Sequence, residues 1–372
     1  MTFVQAAAAV VMIANIRKFL TDFTFESLYF KFIFFLFMAY QLSILVRGIQ
    51  FDYQALKYYF QIDYIFYPLI IPLIVFFNKD DLTFFYLIRS FYLLAVVFLL
   101  FSLLDRFLIT QRGTAEGFIL PFAFTCGFLF LSSKYTSRKI TWVAFVSLLI
   151  GLLSFTYLAR RNALGSFAVL LLTGFYFLLR NMHAGRFIRF IPIFCLIAIV
   201  GLSSADKLPL SLTEKLNDRL AEDSRSYVFD NFFKSMEEDM FFGRGMRGTY
   251  YSPIDHQVTD DGVVYDAVNN RDVIENGYLQ LVLNGGYINV ILFGLTLLPA
   301  GVLGLFKAKN QLTRICGIMI LLWLVDMSVY GMPRLLLQYI LVWMCVGICY
   351  KKSFRNKTDD EIAECFDAVG LN

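Results

Sequence analysis

The chain alternates between long apolar segments and short polar loops. A membrane-spanning helix needs about 20 consecutive, mostly apolar residues, and about 11 segments approach that length. They cover residues 1–16, 27–46, 62–77, 82–104, 117–132, 140–158, 163–179, 187–203, 277–306, 314–331 and 334–350. The pattern therefore predicts an all-α polytopic membrane protein with about 11 transmembrane helices.

One polar segment interrupts this pattern, from Ser203 to Tyr278. It carries 8 Lys/Arg against 15 Asp/Glu, and apolar segments flank it on both sides. We therefore predict an N-terminal transmembrane bundle (1–203), a large loop with short amphipathic helices (204–276), C-terminal transmembrane helices (277–350) and a loose polar tail (351–372). A single large hydrophilic loop between spans is a natural place for chemistry.

Two helices are predicted inside this loop. Ser211 and Glu214 have the spacing of a capping box, which starts the first helix. The second covers about 225–241, with Phe229, Phe232, Phe233, Met236 and Met240 on its apolar face. Both helices are expected to lie along the membrane surface or to cover the mouth of the bundle. The Gly-, Asp- and Asn-rich stretch 243–270 is predicted to be irregular.

Basic residues in the short loops orient the chain, because cytoplasmic loops carry an excess of Lys and Arg. The basic loops 17–22, 78–81, 132–139, 180–189 and 307–314, together with the tail, all fall on one side. The large loop and the N-terminus fall on the other. We expect a multi-pass membrane protein with an extracytoplasmic large loop and a cytoplasmic C-terminus.

Composition supports a membrane protein and excludes several other classes. Hydrophobic residues make up 58% of the 372 residues and charged residues only 17%, with a mean hydropathy of +0.64. Soluble domains carry about 25% charged residues. The net charge of +4 follows from topology, so no nucleic-acid partner is expected. Two His and six scattered Cys indicate neither a metal site nor a disulfide framework, and no cofactor is expected. The segment 1–16 has no basic region before it and is predicted to be a span, not a signal peptide.

Arg160 and Arg161 stand at the outer junction of two apolar segments. Arginines this close to hydrocarbon are costly unless they are paired or face a polar cavity. One interpretation is that a guanidinium grips a lipid-linked phosphate in a bidentate fashion. The other is a pair at a helix end that extends towards the lipid headgroups. Positive charge on the outer side runs against the topology bias and favours the first.

Arg225 and the run from Phe242 to Arg247 are further candidates in the loop. The glycines around Arg244 allow backbone N–H groups to turn towards an anion. Arg225 could instead form a local salt bridge with Glu222 or Asp223. Each signal is weak alone, and together they indicate anion binding.

Glu275 and Asn276 come directly before the span that begins at residue 277. A carboxylate at the outer end of a span could act as a general base on a sugar hydroxyl. The alternative is an acid that favours the positive end of the helix dipole, and spacing alone favours this alternative. No nucleotide-binding, metalloprotease or serine-hydrolase motif occurs. The loop acids do not follow a calcium-loop pattern, so no metal is expected.

The order of these elements resembles the O-antigen polymerase/O-antigen ligase superfamily of surface-polysaccharide enzymes. The similar features are Arg161-Asn-Ala163 at the end of an apolar segment, Arg225 opening an aromatic helix, the turn from Phe242 to Gly245, and Glu275-Asn276 before the span that contains Gly285 and Gly286. The detailed resemblance covers about 150–300. The N-terminal half resembles the family only as a series of spans.

The resemblance implies a metal-independent glycosyltransferase at the periplasmic face. Its donor and acceptor would be glycans on undecaprenyl diphosphate. Arg160, Arg161 and Arg244 would bind the diphosphate, Arg225 would stabilise the departing charge, and Glu275 would be the candidate base, with Asn276 and Arg247 in support. The family's ligases commonly carry a His where this chain has Glu275, so a Wzy-type polymerase of O-antigen or capsule is favoured.

Three other functions remain open at this stage. An O-antigen ligase would transfer finished polymer to lipid A core or to protein. A flippase or transporter of lipid-linked sugar would also be polytopic, although internal repeats are common in such carriers and none is visible here. A structural subunit would tolerate alanine at Arg161, Arg225 and Glu275. A chain-length regulator is a further potential partner of a polymerase.

Overall fold

The protein is described from a computed structural model. It describes residues 25–48, 69–79, 81–104, 120–157, 161–181, 224–254, 257–258, 264–265, 268–329 and 336–371. The predicted spans 1–16 and 187–203, and the predicted helix that starts near Ser211, lie outside these residues.

The described residues are mostly helical, which confirms the predicted helical character. The described residues form eleven α-helices: α1 (Leu28–Gly48), α2 (Asp81–Leu104), α3 (Leu120–Leu131), α4 (Arg138–Tyr157), α5 (Arg161–Asn181), α6 (Ser224–Met236), α7 (Gly277–Lys307), α8 (Gln311–Asp326), α9 (Leu337–Tyr350), α10 (Lys352–Asn356) and α11 (Asp359–Ala368). A 3₁₀ helix covers Ile71–Lys79. Among the described helices, α1, α2 and α7 are long and apolar enough to cross a membrane, which supports the membrane character; the number of spans stays a prediction.

The described part of the large loop contains four short strands, where the sequence predicts irregular structure. Strand β1 (Tyr250–Ile254) pairs antiparallel with β4 (Val268–Arg271), and β2 (Gln257–Val258) pairs antiparallel with β3 (Val264–Tyr265). The expectation of an irregular stretch over 243–270 was therefore wrong. The stretch is rich in residues that favour turns, and strand pairing between residues about 20 positions apart leaves little trace in the local sequence pattern.

The chain divides into two compact units. The first comprises Met1–Asp80, Ser224–Lys309 and Cys316–Asn356. Its core is aromatic: the rings of Phe37 and Trp343 stack at 5.7 Å, and Phe34 meets Trp343 edge-on. The apolar helices thus pack by their aromatic side chains, which bury large areas.

The second unit comprises Asp81–Asp223, Asn310–Ile315 and Lys357–Asn372. Phe130 of α3 packs against Phe145 of α4 and Phe175 of α5, so these three helices share one aromatic core. Phe366 of α11 contacts Phe85 and Tyr135 in the same unit.

The C-terminal tail is ordered, which corrects the prediction of a loose segment. Thr358 and Glu361 form a capping box at the start of α11, and Ile362 and Phe366 are buried. The Asp359 carboxylate accepts hydrogen bonds from Lys134, the Tyr135 hydroxyl and the backbone N–H of Gln311. The tail is polar in composition, but its few apolar residues recur at helical spacing and face inward.

Helix ends of the first unit meet in two groups. At one end, Arg47 of α1 reaches the turn at Phe242, and Asn276 donates to the carbonyl of Ser328. At the other, Ser353 binds Glu26 and Lys309 binds the carbonyl of Arg355. The ends predicted to be periplasmic lie together, as do those predicted to be cytoplasmic. The absolute orientation remains a prediction.

Candidate functional site

The part of the large loop in the first unit folds onto the first turns of α7. Phe232 and Met236 of α6, Tyr250 of β1, and Val282 and Leu283 of α7 form a buried cluster together with Ile274. The apolar face predicted for α6 is therefore partly buried in the protein: Phe232 and Met236 are buried, whereas Phe233 is exposed. The cluster holds the loop rigidly against one end of α7.

Helix α7 is broken at Gly286, whose φ of 67° and ψ of −170° are non-helical. Only glycine adopts this conformation readily. A turn at Met240–Gly245 packs into the break. A Cβ placed on Gly286 would lie 2.1 Å from the carbonyl oxygen of Phe241, and one on Gly243 would lie 2.5 Å from the backbone nitrogen of Gly286. The two backbones approach closely because neither residue carries a side chain.

The turn supplies the hydrogen bonds that the broken helix loses. The backbone N–H of Arg244 donates to the carbonyl of Leu283 at 2.8 Å, and that of Gly245 donates to the carbonyl of Asn284 at 2.9 Å. Beyond the break, the N–H of Tyr287 donates to the carbonyl of Met240 at 2.8 Å. A broken helix near the membrane is tolerated only when its free backbone groups find such partners.

Helix α1 closes the other side of the break. The Tyr40 hydroxyl donates to the carbonyl of Gly285 at 2.6 Å. The Gln41 amide donates to the side-chain oxygen of Asn289 at 2.6 Å, and the Asn289 amide donates to the carbonyl of Leu281 at 3.1 Å. Since Gln41 and Asn289 are buried, loss of either amide would leave a buried polar group without its partner.

Arg244 holds the turn together from within. Its Nε donates to Asp239 at 2.7 Å, one Nη donates to the carbonyl of Thr249 at 2.6 Å and to the Ser235 hydroxyl at 3.2 Å, and the other Nη donates to the carbonyl of Ser235. The planar guanidinium suits this set of acceptors in three directions. Diphosphate binding by this side chain, as predicted, would require some of these bonds to exchange.

Glu275 lies just outside the start of α7 and its side chain is exposed. Asn276 is the N-cap: its side-chain oxygen accepts from the N–H of Leu279 at 3.0 Å, and its amide donates to the carbonyl of Ser328 at 2.6 Å. Gln280 accepts from the N–H of Ile274 and donates to the carbonyl of Asp272. The backbone on both sides of Glu275 is thus fixed, while its carboxylate faces solvent.

Charged residues gather around the Tyr250 hydroxyl beside Glu275. Burial raises the pKa of Tyr250, the positive charge and hydrogen bond of Arg271 lower it, and the charges of Glu275 and Asp272 raise it further. Arg271 therefore lies in the same electrostatic environment as Glu275. Arg271 is not among the site residues predicted from the sequence. The available signal was its position four residues before Glu275, at the end of a strand that was not predicted.

The remaining predicted residues have different placements. Arg225 lies in the first turn of α6, and Arg247 follows the turn, half-buried, in the same unit. Arg161 is the first residue of α5, which belongs to the second unit. Arg160 lies outside the described residues. The first unit thus contains Arg225, Arg244, Arg247, Glu275 and Asn276.

No family model, no curated protein and no solved structure matched this chain. Among the described residues, no group of three or more His, Cys, Asp or Glu side chains is arranged to hold a metal ion.

Proposed function

We propose that this protein is a membrane-embedded glycosyltransferase that polymerises undecaprenyl-diphosphate-linked repeat units into surface polysaccharide. The observation that carries the proposal is the loop fold anchored in the break of α7. It fixes the backbone at Glu275 and Asn276 at one end of an apolar helix long enough to span a membrane, and Glu275 and Arg271 both influence the pKa of Tyr250 beside them. Lipid-linked donors present their glycans at such a surface.

Glycosyl transfer from a lipid diphosphate needs three functions. One group must bind the diphosphate, one must stabilise negative charge as the diphosphate leaves, and one must accept the proton of the attacking hydroxyl. We assign diphosphate binding to Arg161 with Arg160, charge stabilisation to Arg225, and the base to Glu275. These roles follow the resemblance, and the exposed Glu275 carboxylate is accessible to an acceptor sugar.

Arg244 has a different role in this proposal. Its guanidinium binds Asp239, Ser235 and Thr249 of its own loop, so we assign it to positioning of the turn. Arginine charge takes the place that a divalent cation occupies in other transferases, which is why the proposed reaction is independent of metal. The proposed location is the periplasmic face of a bacterial inner membrane.

A gel of surface and lipid-linked glycans from a deletion strain tests the proposal. We expect lipid A core that carries a single repeat unit, with long chains restored by the intact gene. Long polymer that stays on the undecaprenyl carrier would indicate a ligase instead. Repeat units trapped on the cytoplasmic face would indicate export and contradict the catalytic assignment.

The arginine roles are tested in the same strain by substitution. Arg161→Ala and Arg225→Ala are expected to abolish polymer at unchanged protein level. Arg161→Lys is expected to restore it partly, because a point charge loses the bidentate fork. The matched control is Arg180→Ala, an exposed arginine at the opposite end of the helix that Arg161 begins. Normal chain length in the first two variants would refute diphosphate binding by these residues.

A further inference from the structure

Two adjacent phenylalanines are exposed at the turn that fills the break in α7. Phe241 is 67% exposed and Phe242 is 61% exposed. The backbone that carries them is held by hydrogen bonds: the carbonyl of Phe242 accepts from Arg47 at 2.7 Å, and the N–H of Gly243 donates to the carbonyl of Asp239 at 2.7 Å. Rings left in water would forgo the free energy that apolar side chains gain by burial. A rigid turn that displays two such rings indicates an apolar environment around them.

The phenylalanine pair continues an apolar stripe on α7. The ring of Phe241 meets the ring of Tyr287 edge-on at 5.9 Å. Beyond Tyr287, exposed apolar residues recur three or four positions apart, which places them on one helix face. This stripe comprises Tyr287, Ile291, Leu295, Leu298, Val302 and Phe306. In a helix long and apolar enough to cross a membrane, such a face is the surface that contacts lipid.

The length of the stripe locates the membrane surface. From Tyr287 to Phe306 an α-helix rises by about 30 Å, at about 1.5 Å per residue, which equals the thickness of the hydrocarbon core. Before the break, Gln280–Gly286 is buried by protein and includes the polar residues Gln280 and Asn284. The hydrocarbon boundary therefore coincides with the break, which is the level of Phe241 and Phe242.

Both rings of the turn are more exposed than Phe233 of helix α6, which is 45% exposed. Phe232 and Met236 of α6 are buried in the loop's own core, so they are not available to lipid. Arg47, which binds the carbonyl of Phe242, is itself exposed. Arginine at the end of a span commonly reaches the lipid phosphates, and aromatic rings collect at the same level.

We propose that Phe241 and Phe242 insert into the boundary between headgroups and acyl chains of the adjacent leaflet. The insertion fixes the height of the loop. Glu275 and Asn276 stand about ten residues of helix above the break, or about 15 Å along its axis. This lipid contact does not depend on which reaction the loop performs.

Tryptophan fluorescence in brominated lipid vesicles tests the insertion. Phe241→Trp and Phe242→Trp are each reconstituted as the full chain into phosphatidylcholine vesicles with bromine near the carboxyl end, or near the methyl end, of the acyl chains. The emission of Trp142, Trp323 and Trp343 is subtracted as the wild-type background. The matched control is Tyr251→Trp, at a residue 55% exposed in strand β1, away from the stripe.

We expect the two new tryptophans to show blue-shifted emission and stronger quenching by the shallow bromine than by the deep bromine. The Tyr251→Trp control should show neither effect. Quenching no greater than in the control would overturn the proposal. Blue-shifted emission that bromine does not quench would also overturn it, and would indicate a protein partner such as a second copy of this chain.

Discussion

Because Gly286 contacts the turn at Met240–Gly245, we predict that one added methyl group at this residue lowers the stability of the protein strongly. In Gly286→Ala, the new Cβ would lie 2.1 Å from the carbonyl oxygen and 2.2 Å from the carbonyl carbon of Phe241. Both are backbone atoms that cannot rotate away. The substituted residue would also have to keep a φ of 67° and a ψ of −170°, a conformation available almost only to glycine. The turn must therefore separate from α7.

The cost has two parts. The backbone strain contributes about 1–3 kcal/mol. Separation also breaks the bonds from Arg244 to Leu283, from Gly245 to Asn284 and from Tyr287 to Met240, at a net value of about 0.5–1.5 kcal/mol each. Together these give about 3–7 kcal/mol. At about 2 °C per kcal/mol for a large chain, the melting temperature should fall by about 6–14 °C.

The assay is thermal unfolding of purified protein, with hydrogen exchange of the turn as a local measurement. The matched control is Gly294→Ala in the same helix, where an added Cβ meets nothing within 4 Å. An alanine there should stabilise the helix by up to about 1 kcal/mol. We expect faster exchange at 240–249 in Gly286→Ala only. Equal melting temperatures for the two variants would refute the proposed packing of the turn.

Three further predictions concern the tail, the turn and the base. Burial opposes ionisation of Asp359, but hydrogen bonds from Lys134, Tyr135 and the backbone outweigh it and hold its pKa below the ordinary value. The stability that Asp359 adds is therefore present above the unfolded pKa of about 3.9 and lost as pH falls through the lower folded value. Asp359→Asn should increase trypsin cleavage in the tail at neutral pH, whereas cleavage equal to that of the exposed neighbour variant Asp360→Asn would contradict this. Arg244→Lys should speed hydrogen exchange of the turn nearly as much as Arg244→Ala, because one ammonium cannot reach all the acceptors of the guanidinium. Full protection from exchange in the lysine variant would contradict the role of Arg244 in holding the turn. Glu275→Gln should abolish polymer without changing the melting temperature, because the side chain is exposed; retained polymer would remove it as the base.

Most of the described helices could be predicted from apolar runs alone. Helices α1, α2, α4 and α7 begin within two residues of the predicted segments 27–46, 82–104, 140–158 and 277–306. A run of about 20 apolar residues has few alternatives in a membrane, since every backbone polar group must be satisfied within the segment.

The break in α7 could not be predicted from the same pattern. Gly285 and Gly286 are apolar by composition and continue the hydrophobic run. Their role depends on a turn some 40 residues earlier, which fills the gap that two missing side chains leave. The resemblance drew on both the turn and the glycine pair, but the contact between them depends on the tertiary structure.

The role of Arg244 is a second feature that could not be predicted from the sequence. Glycines on both sides of an arginine are compatible with an anion-binding turn and equally with a tight structural turn. The acceptors Asp239, Ser235 and Thr249 are all near in sequence, yet only the folded loop directs them at one guanidinium. The helical structure of the tail was also not predicted, because a few apolar residues at helical spacing have little weight in a polar segment.

The most direct test of the proposed function is a reconstitution with purified components. The full chain in proteoliposomes is given undecaprenyl-diphosphate-linked repeat units, with EDTA and without nucleotide sugars. We predict a ladder of lipid-linked products that lengthens by one repeat unit at a time and is absent with Arg225→Ala. Unchanged repeat units with the wild-type protein, or elongation only after a divalent cation is added, would contradict the proposed metal-independent polymerase.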